Sequence, residues 1–329
     1  MRIGHPLVPY DRRSFRIWRD RDAGVTAGDE SSESGGPAES RLWRPDWTSA
    51  PAQPVLADGA CDLWRIDLEA VAAAGGGDPA ISPLDAAERA RAARFVFERH
   101  RRWYTAARTA LRAIVGAYLE IEPVAVPIEI EPLGRPRLGA LGPAVVVTVT
   151  TAAMGPATAT ATAAVTAASV ATASMMSAEA ATVPPLDFNL SHCDALAVLA
   201  VARRGPLGVD VERVREMKDA LALAQRHFVG DEIGRVASAT GAARDAAFFT
   251  CWTRKEAVLK STGVGLTVST RSVHVGATPE SRTLDFRSKE SVVPLVLHSF
   301  EVRDGAFGAC AVAPAVTRLA FHDFGPGLG

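Results

Sequence analysis

Two carboxylates in the sequence GVDVE at residues 208–212 are the first candidates for chemistry. Side chains two residues apart on a β-strand share a face, so Asp210 and Glu212 would project together, opposite the two valines. Carboxylates held this close raise one another's pKa unless a cation lies between them. The pair therefore indicates a site that holds a cation or, as the simpler alternative, two side chains that face solvent.

A lysine-containing motif, CWTRKEAVLK at residues 251–260, supplies a second candidate. On a helix, Glu256 and Lys260 are four residues apart and lie one above the other. The chain has only four lysines against 32 arginines, and two of the four, Lys255 and Lys260, lie in this motif. Lysine can give up its proton, which suits a general acid. The alternative is a surface ion pair of little energetic weight.

A third motif, FNLSH at residues 188–192, places a hydroxyl and an imidazole at the end of a predicted strand. Ser191 and His192 are neighbours on that strand and point to opposite faces, so they do not form a hydrolytic dyad. The GxSxG pattern of a nucleophile elbow is absent. Either a ligand contact at the strand end or a structural histidine fits this motif.

The elements that position these motifs follow from the apolar patterns. One or two helices are predicted from Asp85 to Leu119, and their eight arginines between Glu88 and Arg112 form a solvated face or an anion-binding face. The remaining predicted elements are strands at 63–68 and 126–131, an antiparallel meander of strands at 186–191, 196–203 and 207–213, helices at 219–228 and 245–261, and a hairpin at 300–312 turned by Asp304-Gly305.

Composition narrows the class of protein. The net charge of −1 argues against nucleic-acid binding through overall positive charge, so no nucleic-acid partner is expected. No stretch of about 20 strongly apolar residues occurs, which argues against secretion and against a membrane span. The four cysteines are far apart and form no CxxC pair, as expected of reduced thiols in a cytoplasmic protein.

The chain divides into five predicted parts. These are a disordered leader at 1–58, an N-terminal lobe at 59–142, a low-complexity insertion rich in alanine and threonine at 143–184, a C-terminal lobe at 185–316 and a tail at 317–329. Both lobes show an arginine- and phenylalanine-containing lead-in, a helix, a glycine turn and then strands. The predicted fold is therefore α+β, with two pseudo-symmetric α/β lobes and a cleft between them.

The ordered set GRP, FNLSH, GVDVE and WTRKEAVLK followed by STGVGL resembles the Sfp-type 4′-phosphopantetheinyl transferases. The resemblance implies two pseudo-symmetric lobes that bind coenzyme A between them. It also implies transfer of the phosphopantetheine arm to a serine of an apo acyl or peptidyl carrier protein, with release of 3′,5′-ADP. Because both lobes are on one chain, we expect a monomer.

The same resemblance implies roles for the acidic and lysine residues. Asp210, Glu212 and Glu256 would hold a divalent ion, for which Mg²⁺ is the natural candidate beside pyrophosphate oxygens. Glu256 would be the base for the acceptor serine, with Glu232 as the second choice. Lys260 would protonate the departing ADP phosphate.

The expected contacts to coenzyme A come from four residues. Ser191 and His192 would contact its phosphates, and Arg135 stands where the family motif usually has lysine in GKP. Arg91 would approach the 3′-phosphate. Glu88 is acidic where some relatives are basic, so the basic residues Arg102 and Arg108 are alternatives at that position.

Two other functions fit parts of this pattern. A Mg²⁺-dependent pyrophosphate hydrolase or nuclease would also use a DxE motif with a third glutamate, although the REx₂EE-type helix of pyrophosphohydrolases is missing. A non-catalytic module that binds coenzyme A or docks a carrier protein would need fewer of the acidic residues. The intact set of Asp210, Glu212, Glu256 and Lys260 favours the transferase.

Overall fold

The computed structural model describes residues 42–51, 53–141, 186–203, 205–264, 268–288 and 291–325, and its fold is α+β. The predicted alanine- and threonine-rich insertion at 143–184 lies outside the described residues. The strands are β1 (Thr48–Ser49), β2 (Ala60–Asp67), β3 (Ile128–Ile130), β4 (Pro136–Leu138), β5 (Leu186–Cys193), β6 (Leu196–Arg203), β7 (Leu207–Arg213), β8 (Arg282–Arg287), β9 (Val292–Arg303), β10 (Ala306–Val312) and β11 (Arg318–Asp323). The α-helices are α1 (Leu68–Val71), α2 (Ala86–Ala92), α3 (Glu98–Leu119), α4 (Ala220–His227), α5 (Gly230–Ser238) and α6 (Gly241–Ser261).

The strands form two large sheets and one small hairpin. The five-stranded sheet has the order β1-β11-β2-β6-β5, in which β11 runs parallel to both of its neighbours and the other pairs are antiparallel. The four-stranded sheet has the order β7-β10-β9-β8 and is antiparallel throughout. The two short strands β3 and β4 pair only with each other.

Two hydrophobic clusters hold these layers together. One lies between the large sheets and is made of alternate residues from β2, β6, β7 and β10, all nearly inaccessible to water. The other lies on the opposite face of the five-stranded sheet, where Trp64 and Ile66 pack against Ala110, Leu111 and Ile114 of α3. Helix α6 packs on the outer face of β7 and β10. Each large sheet is therefore covered by one long helix.

Several predicted elements are confirmed. The basic region at 85–119 forms α2 and α3, and Asp85 caps α2 by accepting a hydrogen bond from the Glu88 backbone at 2.8 Å. The strand at 63–68 is part of β2, and α4 and α6 cover the other two predicted helices. Strands β9 and β10 form the hairpin around Asp304-Gly305, where Gly305 has a φ of 69°.

The predicted meander is wrong for its third strand. Strands β5 and β6 pair with each other, whereas β7 leaves their sheet and pairs with β10. Val209 and Val211 are buried in the cluster between the sheets, as their alternation predicts. An alternating pattern shows which face of a strand is buried, but it does not specify which strand lies beside it. The crossing brings β7 under α6. Helix α5 was not predicted.

The predicted ends of the folded region also differ from the structure. Within the predicted leader, β1 pairs with β11, and Trp47 packs edge-on against Phe321 with ring centroids 5.0 Å apart. Within the predicted tail, β11 lies between β1 and β2. Aromatic contacts and strand pairing therefore extend the fold beyond residues 59 and 316 in both directions.

The predicted lobe boundary at residue 185 does not separate the two sheets. Strands β5 and β6 follow that boundary in the chain but complete the five-stranded sheet begun by β2. The chain thus passes from the five-stranded to the four-stranded sheet between β6 and β7 and returns to the first sheet with β11. Within the described ranges, no helix has both the length and the apolar character needed to cross a membrane.

Candidate active site

A lysine, a serine and an aspartate from three separate elements meet beside α6. The Lys260 ammonium donates to Asp210 Oδ1 at 2.6 Å and to Ser191 Oγ at 2.9 Å. Ser191 in turn donates its hydroxyl proton to the same Asp210 oxygen at 2.8 Å. The Lys260 ammonium is therefore a cation in direct contact with Asp210.

Close packing between α6 and β7 brings this cluster together. Gly208 lies directly under α6, and a Cβ atom at this position would collide with the Ala257 carbonyl oxygen and the Ser261 nitrogen. Strand alternation then turns Val209 and Val211 into the core and leaves Asp210 and Glu212 on the helix side. The glycine and the alternating valines of GVDVE therefore position its two carboxylates against α6.

Strand β5 supplies the serine by the same alternation. Asn189 and Ser191 share a face and are buried, whereas His192 on the other face is exposed. Asn189 accepts a hydrogen bond from the Val209 backbone at 2.9 Å and so fixes β7 beside β5. Ser191 thus enters the cluster, and His192 lies on the opposite, exposed face of β5.

The acidic residues of the cluster repel one another. Burial, followed by the charge of Asp210, raises the pKa of Glu256 to about 7. Burial, followed by the same aspartate, raises the pKa of Glu212 to about 8. Burial alone would lower the pKa of Lys260, but Asp210 and Glu256 outweigh it and raise that pKa. Lys260 is therefore charged at neutral pH, and Glu256 has a proton affinity suited to a base.

Two carboxylate oxygens in this cluster have no partner among the described residues. Asp210 Oδ2 and Glu256 Oε1 are both buried and accept no hydrogen bond. Leaving such atoms unsatisfied is costly, so each is available to a hydrogen-bond donor or a cation. This pair is the strongest local indication of a bound group.

The cluster fits a divalent ion that also takes ligands from its substrate. Among the described residues, no group of three or more histidine, cysteine, aspartate or glutamate side chains is already arranged to hold a metal. A preassembled site formed by Asp210, Glu212 and Glu256 is therefore not present. Mg²⁺ commonly uses one or two carboxylates together with substrate phosphates and water. The unpartnered oxygens of Asp210 and Glu256 match that requirement.

Glu232 does not belong to this cluster, contrary to its prediction as a second base. Its carboxylate is inaccessible to water and lies 2.9 Å from the Lys255 ammonium. It also accepts backbone hydrogen bonds from Val229 at 3.0 Å and from Val275 at 2.8 Å. A carboxylate that is buried, paired and saturated with donors cannot reach an acceptor serine.

Lys255 is the structural lysine of its motif. Its ammonium has three N–H groups and three acceptors, namely Glu232 and the carbonyl oxygens of Thr270 and Val273. The neighbouring Arg254 binds the Val275 carbonyl through two nitrogens, at 2.7 and 3.0 Å. Both cations fasten α6 to the segment that follows it. The sequence marked Lys255 as unusual but gave no sign of this role.

Arg135 is held by protein groups rather than displayed toward an open site. Its Nη1 donates to the Lys260 carbonyl oxygen at 3.1 Å, and its Nη2 lies 3.4 Å from each carboxylate oxygen of Asp187. Its Nε is buried and has no acceptor among the described residues. The phosphate contact of Arg135 therefore stays a prediction.

The arginines of α2 and α3 fall into a buried group and an exposed group. Arg108 and Arg112 are buried against Glu88, at 2.5 and 2.7 Å, which explains the acidic residue at that position. Arg108 is therefore not free to replace a phosphate-binding residue there. Arg91 is exposed over the Tyr104 ring, and Arg102 lies 3.6 Å from the carboxylate of Glu69. These two remain candidates for a phosphate contact.

Trp252 of α6 packs against other aromatic side chains. Its ring is stacked near Phe248, with centroids 6.1 Å apart and planes 10° apart, and it meets His227 edge-on. These contacts lie within the helical layer formed by α4 and α6. The tryptophan therefore stabilises the helix that carries Glu256 and Lys260.

Comparison with known proteins points to one family. A family model described as the 4′-phosphopantetheinyl transferase superfamily matches residues 206–306, which include β7 and α6. The chain is 31% identical over 233 residues to the 4′-phosphopantetheinyl transferase HetI of Nostoc sp., a match that covers 71% of this chain and 81% of that protein.

Two further relatives match over shorter regions. The 4′-phosphopantetheinyl transferase psf-1 of Bacillus pumilus is 30% identical over 138 residues, covering 41% of this chain and 57% of the relative. The 4′-phosphopantetheinyl transferase gsp of Aneurinibacillus migulanus is 26% identical over 136 residues, covering 41% and 55%. With the HetI match spanning most of both chains, this protein belongs to the 4′-phosphopantetheinyl transferase family and is an enzyme of that class.

Proposed function

We propose that this enzyme transfers the 4′-phosphopantetheine arm of coenzyme A to a serine of an apo acyl or peptidyl carrier protein and releases 3′,5′-ADP. The observation that carries the proposal is the cluster of Lys260, Ser191 and Asp210 beside the unpartnered oxygens of Asp210 and Glu256. A lysine and a glutamate one helical turn apart can serve as the acid and the base of a phosphoryl transfer.

The proton transfers are assigned to α6. Glu256 takes the proton of the acceptor serine, directly or through one water, and a pKa of about 7 suits that step. The serine oxygen forms a bond to the β-phosphorus of coenzyme A, and the bond from that phosphorus to the bridging oxygen breaks. Lys260, charged at neutral pH, gives a proton to the departing ADP phosphate. Proton exchange with solvent then returns Glu256 to its ionised form and Lys260 to its protonated form.

The remaining residues of the cluster hold charge and orient the substrate. Asp210 and Glu256, with Glu212 as the third carboxylate, would hold a Mg²⁺ ion, which neutralises charge on pyrophosphate oxygens. Asp210 also fixes the Lys260 ammonium at 2.6 Å. Ser191 and His192 at the end of β5 contact the phosphates of coenzyme A, and Arg91 approaches the 3′-phosphate.

We also propose that the two sheets, each with its long helix, are pseudo-symmetric lobes with coenzyme A between them. Catalytic groups from β5, β7 and α6 come from a single chain, which supports action as a monomer. The four cysteines are free thiols, which supports a reducing, cytoplasmic setting.

The intact mass of an apo carrier protein tests this function. The enzyme is incubated with coenzyme A, Mg²⁺ and the carrier, and nucleotide release is measured in the same samples. A gain of one phosphopantetheine on the carrier, matched by 3′,5′-ADP, is the expected result. Nucleotide release without carrier modification would instead identify a pyrophosphate hydrolase, and binding of coenzyme A with neither product would identify a non-catalytic module.

A further inference from the structure

Arg135 joins three elements at the edge of the candidate active site. It lies in the turn of the β3–β4 hairpin, where the Glu131 backbone N–H donates to the Arg135 carbonyl oxygen at 2.9 Å. From there its guanidinium reaches the Lys260 carbonyl oxygen at the end of α6 and the Asp187 carboxylate at the start of β5. One side chain therefore connects the hairpin, the helix and the strand.

The contact with α6 is made at the backbone of the proposed acid. The last carbonyl groups of a helix lack intrahelical partners and carry partial negative charge, so a cation is favoured there. The Lys260 carbonyl oxygen accepts from the Gly263 backbone at 3.2 Å and, in addition, from Arg135 Nη1 at 3.1 Å. The ammonium of the same lysine reaches Ser191 and Asp210. Arg135 therefore adds a side-chain contact to the Lys260 main chain beside the backbone hydrogen bond of the helix end.

The contact with β5 is made on the face that carries Ser191. Asp187 and Ser191 are four residues apart on the strand and lie on the same face. Asp187 accepts from the Phe188 backbone at 2.9 Å and faces Arg135 with both carboxylate oxygens. Two links therefore join β5 to α6, one through Arg135 and one through the Lys260 ammonium.

We propose that Arg135 is a positioning residue: it holds Lys260 in place, and Asp187 orients the Arg135 guanidinium. This proposal rests on the transferase function above. Both terminal nitrogens of the guanidinium face protein acceptors, whereas its Nε is buried without an acceptor among the described residues. Arginine suits this role because its planar fork engages two acceptors at once, whereas a lysine offers a single point of charge.

Steady-state kinetics distinguish positioning from phosphate binding. Arg135→Gln is expected to lower kcat about tenfold, a loss of about 1.4 kcal/mol, with KM for coenzyme A unchanged within about twofold. Asp187→Asn should act in the same direction, and the double variant should be little worse than Arg135→Gln alone. Arg135→Lys should recover part of the loss. The matched control is Arg137→Gln, since Arg137 lies on the same hairpin but pairs only with Glu129 at the surface.

A phosphate ligand would behave differently. If Arg135→Gln raises KM for coenzyme A and leaves kcat intact, or if the Asp187→Asn effect adds fully to it, the positioning role is wrong. Circular dichroism establishes that the variants fold. Should Arg135→Gln not fold, the expectation rests on Asp187→Asn, which keeps the arginine.

A second readout needs no carrier and so separates this proposal from the transferase function. With only four lysines in the chain, protein labelled with ¹³Cε-lysine gives few NMR signals, and Lys260→Arg assigns one of them by its loss. Arg135→Gln should move the Lys260 signal and leave the Lys255 signal in place. An unmoved Lys260 signal would overturn the proposal. Absence of transfer by the wild type would instead refute the function and leave this result standing.

Discussion

At the scale of single residues, the two lysines of α6 differ in burial and in partners although they are only five positions apart. Lys255 is inaccessible to water and its three N–H groups have three protein acceptors. Lys260 remains partly exposed, with its ammonium between Ser191 and Asp210. Lys255 is thus held entirely by protein groups, and Lys260 is the one of the two that we propose as the acid.

Replacing Lys260 tests its assignment as the acid. Lys260→Ala should reduce kcat by about 10² to 10⁴, the usual contribution of a positioned acid. Lys260→Arg keeps a positive charge beside Asp210 but cannot release a proton, so it should be nearly as slow. The rate of carrier modification measures both, with Lys218→Arg as the surface control. Near-normal turnover by Lys260→Arg would assign the lysine an electrostatic role only.

Replacing Glu256 tests the base. Glu256→Gln preserves the size of the side chain and removes the proton acceptor, so transfer should be abolished while the protein stays folded. Because burial and Asp210 raise the pKa of Glu256, its ionised form is disfavoured in the folded state, and the neutral variant should be at least as stable to urea at neutral pH. Glu216→Gln at an exposed position is the control. Near-normal transfer by Glu256→Gln would refute its role.

At the scale of elements, α6 owes its position to contacts on two sides. Gly208 allows it to lie close against β7, and Arg254 and Lys255 bind backbone carbonyls in the segment after it. Glu232 joins α5 to the same helix through Lys255. Glu256 directly follows these two cations, so the anchoring acts one residue from the proposed base.

The buried ion pair of α5 and α6 gives a stability prediction. Lys255→Met leaves the Glu232 carboxylate buried without its cation, which should cost about 3–5 kcal/mol in the free energy of unfolding. The double variant Glu232→Gln with Lys255→Met removes both charges and should recover much of that loss. Urea denaturation measures each variant. Equal destabilisation by the single and double variants would mean that the charges themselves contribute little.

At the scale of the whole molecule, the two ends of the described chain complete the five-stranded sheet. Strand β11 pairs on one side with β1 and on the other with β2. Arg65 of β2 donates two hydrogen bonds to the Asp323 carboxylate of β11, from Nε at 2.7 Å and from Nη2 at 2.8 Å. The aromatic contacts of Phe321 with Trp43, Trp47 and Phe300 cover the same corner. The described residues of the predicted leader and tail, at 42–51, 53–58 and 317–325, are thus part of the fold.

Truncation tests this role of β11. Ending the chain after Thr317 removes a strand from between two others and exposes their hydrogen-bonding groups, so the shortened protein should fail to fold cooperatively. Ending it after Gly325 keeps β11 and is the matched control. Urea unfolding followed by circular dichroism compares the two. A cooperative transition of normal midpoint in the shorter protein would show that β11 is dispensable.

Local patterns in the sequence predicted single elements better than the pairing of strands. The alternation of GVDVE and the i, i+4 spacing of Glu256 and Lys260 are such patterns and lie on β7 and α6, whereas the contact between Asp210 and Lys260 joins two motifs and was not predicted. The crossing of β7 to β10 and the pairing of β11 depend on contacts distant in the chain, which local patterns do not encode.

The same distinction explains the partners of Glu232 and Arg135. Their places in motifs are local, but their contacts are made far along the chain, with Lys255 for Glu232 and with Asp187 and Lys260 for Arg135. A charged side chain that is itself fully buried with its partner, as Glu232 is with Lys255, is withdrawn from substrate contact. Motif position alone does not show which of these outcomes applies.

The most direct test is carrier modification with and without a divalent ion. Wild-type enzyme treated with a chelator and then freed of it is incubated with coenzyme A and an apo carrier, with or without added Mg²⁺, beside the Asp210→Asn variant. We predict that only the wild type with Mg²⁺ adds phosphopantetheine to the carrier, as read by intact mass. Full modification by the metal-depleted wild type, or by Asp210→Asn, would contradict a cation-dependent site at Asp210 and Glu256.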